Sequence, residues 1–143
     1  NHRVQKFTGD GDFVFQIGGS LGSGRYDLSH PSDVAVDSDG DIYICDWANN
    51  RIQAFDDNCN FITTFEGDAQ ELSKWQKQYV NGNPDVYKAR RRVYTLEPEW
   101  RFALPTGIVF DNEKSRFLVT ESERWRLQIY NKVQDYLDPQ FNI

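Results

Sequence analysis

Short runs of alternating apolar and polar residues, punctuated by turn-forming residues, fill most of this 143-residue chain. Val34 and Val36 alternate with smaller or polar neighbours, as do Ile42 and Ile44, then Ile52 and Ala54, then Phe61, Thr63 and Phe65. A period of two is that of strands with alternating faces. Asp39-Gly40 is a strong hairpin signal between the first two of these strands, and Asp56-Asp57-Asn58 turns the third into the fourth. Gly11, in Gly9-Asp10-Gly11-Asp12, plays the same part between runs at 4–7 and 13–17.

The pattern repeats. Asn50-Arg51-Ile52-Gln53-Ala54-Phe55 matches His2-Arg3-Val4-Gln5-Lys6-Phe7 at a spacing of 48 residues, and Trp125-Arg126-Leu127-Gln128-Ile129-Tyr130 at a spacing of 75. Upstream of the second copy stands Pro31-Ser32-Asp33-Val34-Ala35-Val36-Asp37, and upstream of the third Pro105-Thr106-Gly107-Ile108-Val109-Phe110-Asp111. Four antiparallel strands in a repeat of about 40–50 residues are the signature of a β-propeller blade. The string at 31–55, with its Val-Ala-Val-Asp, Asp-Gly-Asp-Ile-Tyr-Ile-Cys-Asp and Asn-Asn-Arg-Ile-Gln-Ala-Phe, resembles an NHL repeat almost without departure. Gly18-Gly19-Ser20-Leu21-Gly22-Ser23-Gly24 resembles the glycine-rich link that carries one NHL blade into the next. The third copy departs from the pattern, with Glu121 for the usual Asp and Glu123-Arg124-Trp125 for the Asn-Asn pair.

The expected fold is therefore all-β: propeller blades of four antiparallel strands, incomplete, with a helical insertion. Residues 1–17 supply the outer strands of a first blade, 30–67 a complete NHL blade, 68–101 the insertion and 102–143 a third, degenerate blade. Closed propellers have about 4–8 blades, so either the chain is a fragment of a longer, six-bladed propeller or further copies or a partner complete the ring. The fragment reading is preferred, because Asn1 stands where a third strand should begin.

The insertion reads as helical. Apolar residues at 72, 75, 79 and 80 have helical spacing over 69–80, ended by Asn81-Gly82. Asn83-Pro84 then offers an N-cap followed by proline at the first helical position, opening a second helix through Arg92. Pro98 is expected to close the stretch before the next blade.

Composition adds modest constraints. Aromatic content of 15%, 10 Gly and 5 Pro favour strands and tight turns. The net charge of −6 makes nucleic acid an improbable partner, and no apolar run is long enough to span a membrane. No signal peptide is visible at the start, but the chain opens within a blade, so the compartment stays open. Charge is unevenly spread: residues 68–101 hold seven basic and five acidic side chains, a net of +2, against −8 for the remainder.

Candidate chemistry is sparse. Asp46 and Arg51 flank a hairpin turn, and Glu121 and Arg126 repeat the spacing; recurrence points to structural pairing, the carboxylate also accepting turn N–H groups. Asp37, Asp39 and Asp41 around Gly40 resemble the start of a calcium loop, but Ala48 stands where an EF-hand needs its glutamate, so they are read as turn residues. His30 is the single candidate metal ligand; its counterpart in the third copy is Leu104. Cys45 and Cys59 fall at opposite ends of a blade and are not expected to bridge.

The NHL resemblance implies a non-catalytic binding or scaffold module, engaging a protein through loops and the insertion. Trp75, Tyr79, Tyr87, Lys88, Arg90, Arg91, Arg92 and Trp100 are the partner-binding candidates, being of the types enriched in interface hot spots. No catalytic residue and no cofactor are expected. The alternative is a fragment of a metal-dependent propeller enzyme, similar to amidating lyases or gluconolactonases, holding a divalent ion in its central channel. RNA recognition, which the resemblance to some tripartite-motif propellers implies, would require a basic rim that the chain lacks.

Overall fold

The period-two segments form three antiparallel sheets in a computed structural model that describes residues 1–133. In the first, β1 (Arg3–Phe7) pairs with β2 (Phe13–Gly18). The second is a four-stranded meander of β3 (Pro31–Val36), β4 (Ile42–Asp46), β5 (Arg51–Phe55) and β6 (Phe61–Phe65). The third holds β7 (Pro105–Asp111), β8 (Arg116–Glu121) and β9 (Arg126–Asn131). The chain is thus mostly β, with the antiparallel meander from which propellers are assembled. Part of the unit expected over 102–143, including any fourth strand, lies outside the described residues.

The hairpins form where Gly and Asp permit them. Gly40 closes the β3–β4 turn at φ +91°, a conformation that disfavours any side chain. Its N–H donates to the Asp37 carbonyl at 3.2 Å, while the Asp37 carboxylate accepts from the N–H groups of Asp39 and Asp41 at 2.9 and 3.0 Å.

Burial on both faces of the central strands explains their nearly unbroken apolar sequence. On one face, Ile42, Ile44 and Phe55 pack against Ile17 and Leu28 beside the first sheet. On the other, Tyr43, Cys45, Ile52 and Ala54 pack against Phe102, Ile108, Phe117 and Val119 of the third unit. The alternation along β3 runs opposite to residue size: Ala35 is covered, whereas Val34 and Val36 are exposed beside the two-stranded first sheet.

Neighbouring sheets are also joined by a recurring polar contact. His2, Asn50 and Trp125 each precede the arginine that opens a third strand, and each is left-handed, with φ of 49°, 54° and 46°. Asn50 Oδ1 accepts the Leu104 N–H at 2.8 Å, and His2 Nδ1 accepts the His30 N–H at 3.2 Å, so His2 does the work of an asparagine. Burial, followed by the neighbouring His30, holds the His2 imidazole below its ordinary value, in keeping with an unprotonated Nδ1.

The insertion forms α1 (Lys74–Gly82), α2 (Pro84–Arg90) and α3 (Glu97–Trp100). The first helix begins later than 69 because Ser73 and Gln76 make a reciprocal capping box that fixes its N-terminus. The second ends at Arg90 rather than Arg92, where the N–H groups of Arg91 and Arg92 turn back to Tyr87 and Ala89. Pro98 does not close the stretch; it stands in the first turn of α3, where a missing N–H costs nothing.

Candidate binding cleft

Two matching clamps set the loops that lead into the second and third sheets. Asp46, fully buried, accepts Arg51 Nε at 2.7 Å, the Asn49 amide at 2.8 Å and the Ser29 N–H at 2.6 Å. The rest of the Arg51 guanidinium donates to the carbonyls of Ser23, Gly24 and Asp27, and Gln53 adds a bond of 3.1 Å to Asp27. In the third unit Glu121 accepts Arg126 Nε at 2.5 Å, the Gln128 amide at 2.7 Å and the Ala103 N–H at 2.8 Å. Arg126 then donates to the carbonyls of Glu99, Trp100 and Arg101 at 2.8, 3.2 and 2.5 Å. The end of α3 thus occupies the place that the glycine-rich link holds before the second sheet.

The insertion leaves the sheets through a closed neck. Phe102 N–H donates to the Glu66 carbonyl at 2.7 Å and Ala69 N–H to the Trp100 carbonyl at 3.1 Å. The Tyr130 hydroxyl accepts the Asp68 N–H and donates to Gln128. Gln76, on α1, donates to the Arg124 carbonyl at 3.4 Å and so ties the helix to the β8–β9 turn.

Between these attachments lies an open cleft of about 890 Å³. Trp75 and Tyr79, one turn apart on α1, form one side. Leu96 and Pro98 contribute a second, and Trp125 of the β8–β9 turn a third. Trp125, left-handed at φ 46°, is 90% exposed. Polar groups in the lining are largely engaged: Arg90 binds Glu99 through Nη2 at 2.9 Å and Nε at 3.2 Å, and Arg124 donates to the Arg101 carbonyl at 2.9 Å. Burial, and then the adjoining Arg126, hold the Arg124 guanidinium below its ordinary value.

Of the partner-binding candidates, the cleft brings together Trp75, Tyr79 and Arg90. Trp100 lies under the Arg90 guanidinium at 5.8 Å and Tyr87 under that of Arg91 at 5.9 Å, both outside the lining. Lys88 pairs weakly with Asp85 at 3.9 Å, and Arg92 stands exposed beyond the cleft wall. Trp125 was readable only as a departure from the Asn-Asn pattern; an exposed aromatic at a position that otherwise bonds the next unit is the signal that it carries.

The acidic turn holds a cation of the chain's own. Lys132, after β9, places its ammonium 2.6 Å from Asp37, 2.7 Å from Asp39 and 2.9 Å from Asp41. Burial pushes the Asp37 carboxyl up, but Lys132, the Asp41 N–H and the Tyr43 hydroxyl together hold it below the ordinary range. Turn chemistry and an inter-sheet ion pair therefore meet at one carboxylate, a contact spanning 95 residues.

His30 stands edge-on to His2, with ring centroids 4.6 Å apart, and beside Trp47 at 6.2 Å. Two histidines, one with Nδ1 already accepting a backbone N–H, do not provide the three protein ligands that a catalytic metal usually needs. Among the described residues no group of three or more His, Cys, Asp or Glu is arranged to hold a metal. Both cysteines are free: Cys45 is buried in one core cluster and Cys59 borders the other, in the β5–β6 turn.

The family model of the NHL repeat matches residues 28–55, which span β3, β4, β5 and the Ser29 N–H that Asp46 binds. No curated protein matches the chain.

Proposed function

We propose that this chain, which carries an NHL repeat within a propeller-type arrangement of sheets, is a non-catalytic binding module that engages a protein partner through the insertion at 68–101 and the adjoining β8–β9 turn. The observation that carries this reading is the cleft of about 890 Å³ shared between helix α1 and the third sheet. Rigid sheets below and exposed Trp75, Tyr79 and Trp125 above are the combination that concentrates binding energy in a few aromatic anchors. Affinity capture followed by cross-linking tests it. The double variant Trp75→Ala/Tyr79→Ala is expected to lose the partner while keeping its circular-dichroism spectrum; capture at wild-type yield would overturn the reading. A divalent ion that stays bound stoichiometrically through dialysis would favour the enzymatic alternative.

Further blades or further copies of the chain are proposed to cover the outer face of the third sheet. Val109, Leu127 and Ile129 there correspond to Ala35, Ile52 and Ala54, which are covered in the second sheet, yet all three are exposed. Sedimentation separates the two sources of cover: a mass of 16.7 kDa assigns it to further blades, a multiple of that mass to copies. No helix among the described residues is long and apolar enough to cross a membrane.

A further inference from the structure

We infer that the insertion carries a proteolytic processing site at the Arg92–Val93 bond, suited to an endoprotease whose acidic subsites take two consecutive basic residues, Arg91 and Arg92. Among the 16 Lys and Arg residues of the chain, only Arg90, Arg91 and Arg92 stand next to one another. Arg90 is engaged with Glu99. Arg91 and Arg92 are exposed and have no carboxylate partner among the described residues. The ring contact of Arg91, over Tyr87 at 5.9 Å, is solvent-exposed and therefore weak. Val93, Tyr94 and Thr95 are exposed as well, so that 91–95 face solvent without interruption. The N–H groups of Val93, Tyr94, Thr95 and Leu96 make no hydrogen bond among the described residues. Exposed connections of this kind are where nicking concentrates.

A protease takes its substrate as an extended strand, so the end of α2 must unwind before cleavage. That helix has seven residues and buries none of them. A helix so short has little stability of its own, and the Arg90–Glu99 pair that fastens its end is part-exposed and contributes little. Local opening here leaves the sheets untouched, and cleavage follows the population of the open form. Hydrolysis adds water across the Arg92–Val93 amide: Arg92 keeps a carboxylate and Val93 takes an ammonium. The two pieces stay together. Phe102 N–H still donates to the Glu66 carbonyl and Ala69 N–H to the Trp100 carbonyl, and the core between Tyr43, Ile52, Phe102 and Phe117 is not cut. What the cut parts is the cleft, with Trp75, Tyr79 and Arg90 on one piece and Leu96, Pro98 and Trp125 on the other.

The test is digestion of the intact chain, in native buffer, by a subtilisin-class endoprotease that cuts after paired basic residues, followed by intact-mass spectrometry and gel filtration. One cut is expected, giving pieces 1–92 and 93–143 that co-elute and separate only in denaturant. Arg91→Gln removes one charge-assisted contact with the protease and should slow that cut about tenfold or more. Trypsin, which needs a single arginine, should still cut the variant after Arg92, and so reports that the site stays exposed. No cut by the paired-base enzyme, or a cut only after urea is added, would overturn the site. Undiminished cutting of Arg91→Gln would overturn the pair as the recognised element, and failure of trypsin on that variant would overturn the exposure of the segment. Pieces that part without denaturant would overturn the holding role of the neck and core.

Discussion

Lys132→Met removes one charge and almost no volume from the contact between the second and third sheets. The wild-type ammonium is nearly inaccessible, with 6% of the side chain exposed, and it faces Asp37 at 1%, Asp41 at 16% and Asp39 at 70%. Removing one partner of a buried pair costs about 3–5 kcal/mol, because the other charge is left uncompensated. Two features reduce that here. Asp39 can turn to water, and Asp37 keeps the N–H groups of Asp39 and Asp41 and the Tyr43 hydroxyl at 3.1 Å. The expected loss is ~2–3 kcal/mol, or roughly 6–9 °C in Tm for a chain of this size. Urea and thermal unfolding followed by circular dichroism measure it. The pH dependence gives a sharper signature. In the wild type Asp37 lies below the ordinary carboxylate value, so its contribution is present above about pH 4 and lost as pH falls through the depressed folded value. Lys132, raised by its three carboxylates against the opposing effect of burial, contributes fully below its ordinary value near pH 10 and loses that contribution only above it. In the variant the carboxylates crowd one another without a cation, so the folded state takes up protons more readily than the unfolded one. Its stability should rise as pH falls from about 6 to 4, narrowing the gap to wild type. A variant within about 0.5 kcal/mol of wild type, or a gap constant between pH 4 and 7, refutes the reasoning.

Arg126→Met leaves the buried Glu121 without its cation and frees the Glu99 carbonyl, while those of Trp100 and Arg101 keep the Ala69 N–H and the Arg124 guanidinium; a loss of about 3 kcal/mol is expected. Amide exchange should quicken at the Ala103 N–H and in the insertion, whereas Arg51→Met should quicken it around Ser29 instead. Gly67→Ala sets a methyl group against the backbone of Arg101 and Phe102 at φ +89°, costing about 2 kcal/mol or more by equilibrium unfolding. Burial, then Asp33, pushes the Cys45 thiol up to about 12, and burial raises the less covered Cys59 as well. A thiol reagent at pH 8 should therefore modify Cys59 slowly and Cys45 only after urea is added; equal rates in the native protein would contradict this.

What the chain made legible follows the range of each interaction. The Asp46–Arg51 and Glu121–Arg126 pairs were readable because a strand end and the next strand's start face each other across a short turn. The other half of each clamp was not, since the carbonyls that Arg51 and Arg126 bind belong to the backbone and have no residue signature. The start of α1 was written in Ser73-x-x-Gln76, but apolar spacing that includes Leu72 pulled the expected boundary upstream. Asp37 and Lys132 lie too far apart in sequence for spacing to join them. The cleft divides in the same way: Trp75 and Tyr79 share a face at an interval of four, whereas Trp125 arrives from another sheet.

Stacking between units depends on two separable features, and the third unit retains only one. Toward it, the second unit offers apolar side chains together with three polar latches. Ser32 Oγ donates to the Pro105 carbonyl at 3.0 Å, Asp33 accepts the Ile108 N–H at 2.8 Å, and Asn50 accepts the Leu104 N–H. The counterparts in the third unit are Thr106, Gly107 and Trp125. Thr106 turns its hydroxyl back to Leu104 at 3.0 Å, Gly107 has no side chain, and an indole can only donate. A methyl group at Gly107 would crowd the Thr120 hydroxyl opposite it in the same sheet, so the position is kept small from within the third unit. Apolar cover is non-directional and favours association of whatever sheet fits; the latches fix register. Where the register device has lapsed, the left-handed residue that elsewhere bonds the next unit is free to serve another purpose. At Trp125 it forms a wall of the cleft, so the feature particular to this chain has grown from a position that the repeat no longer uses.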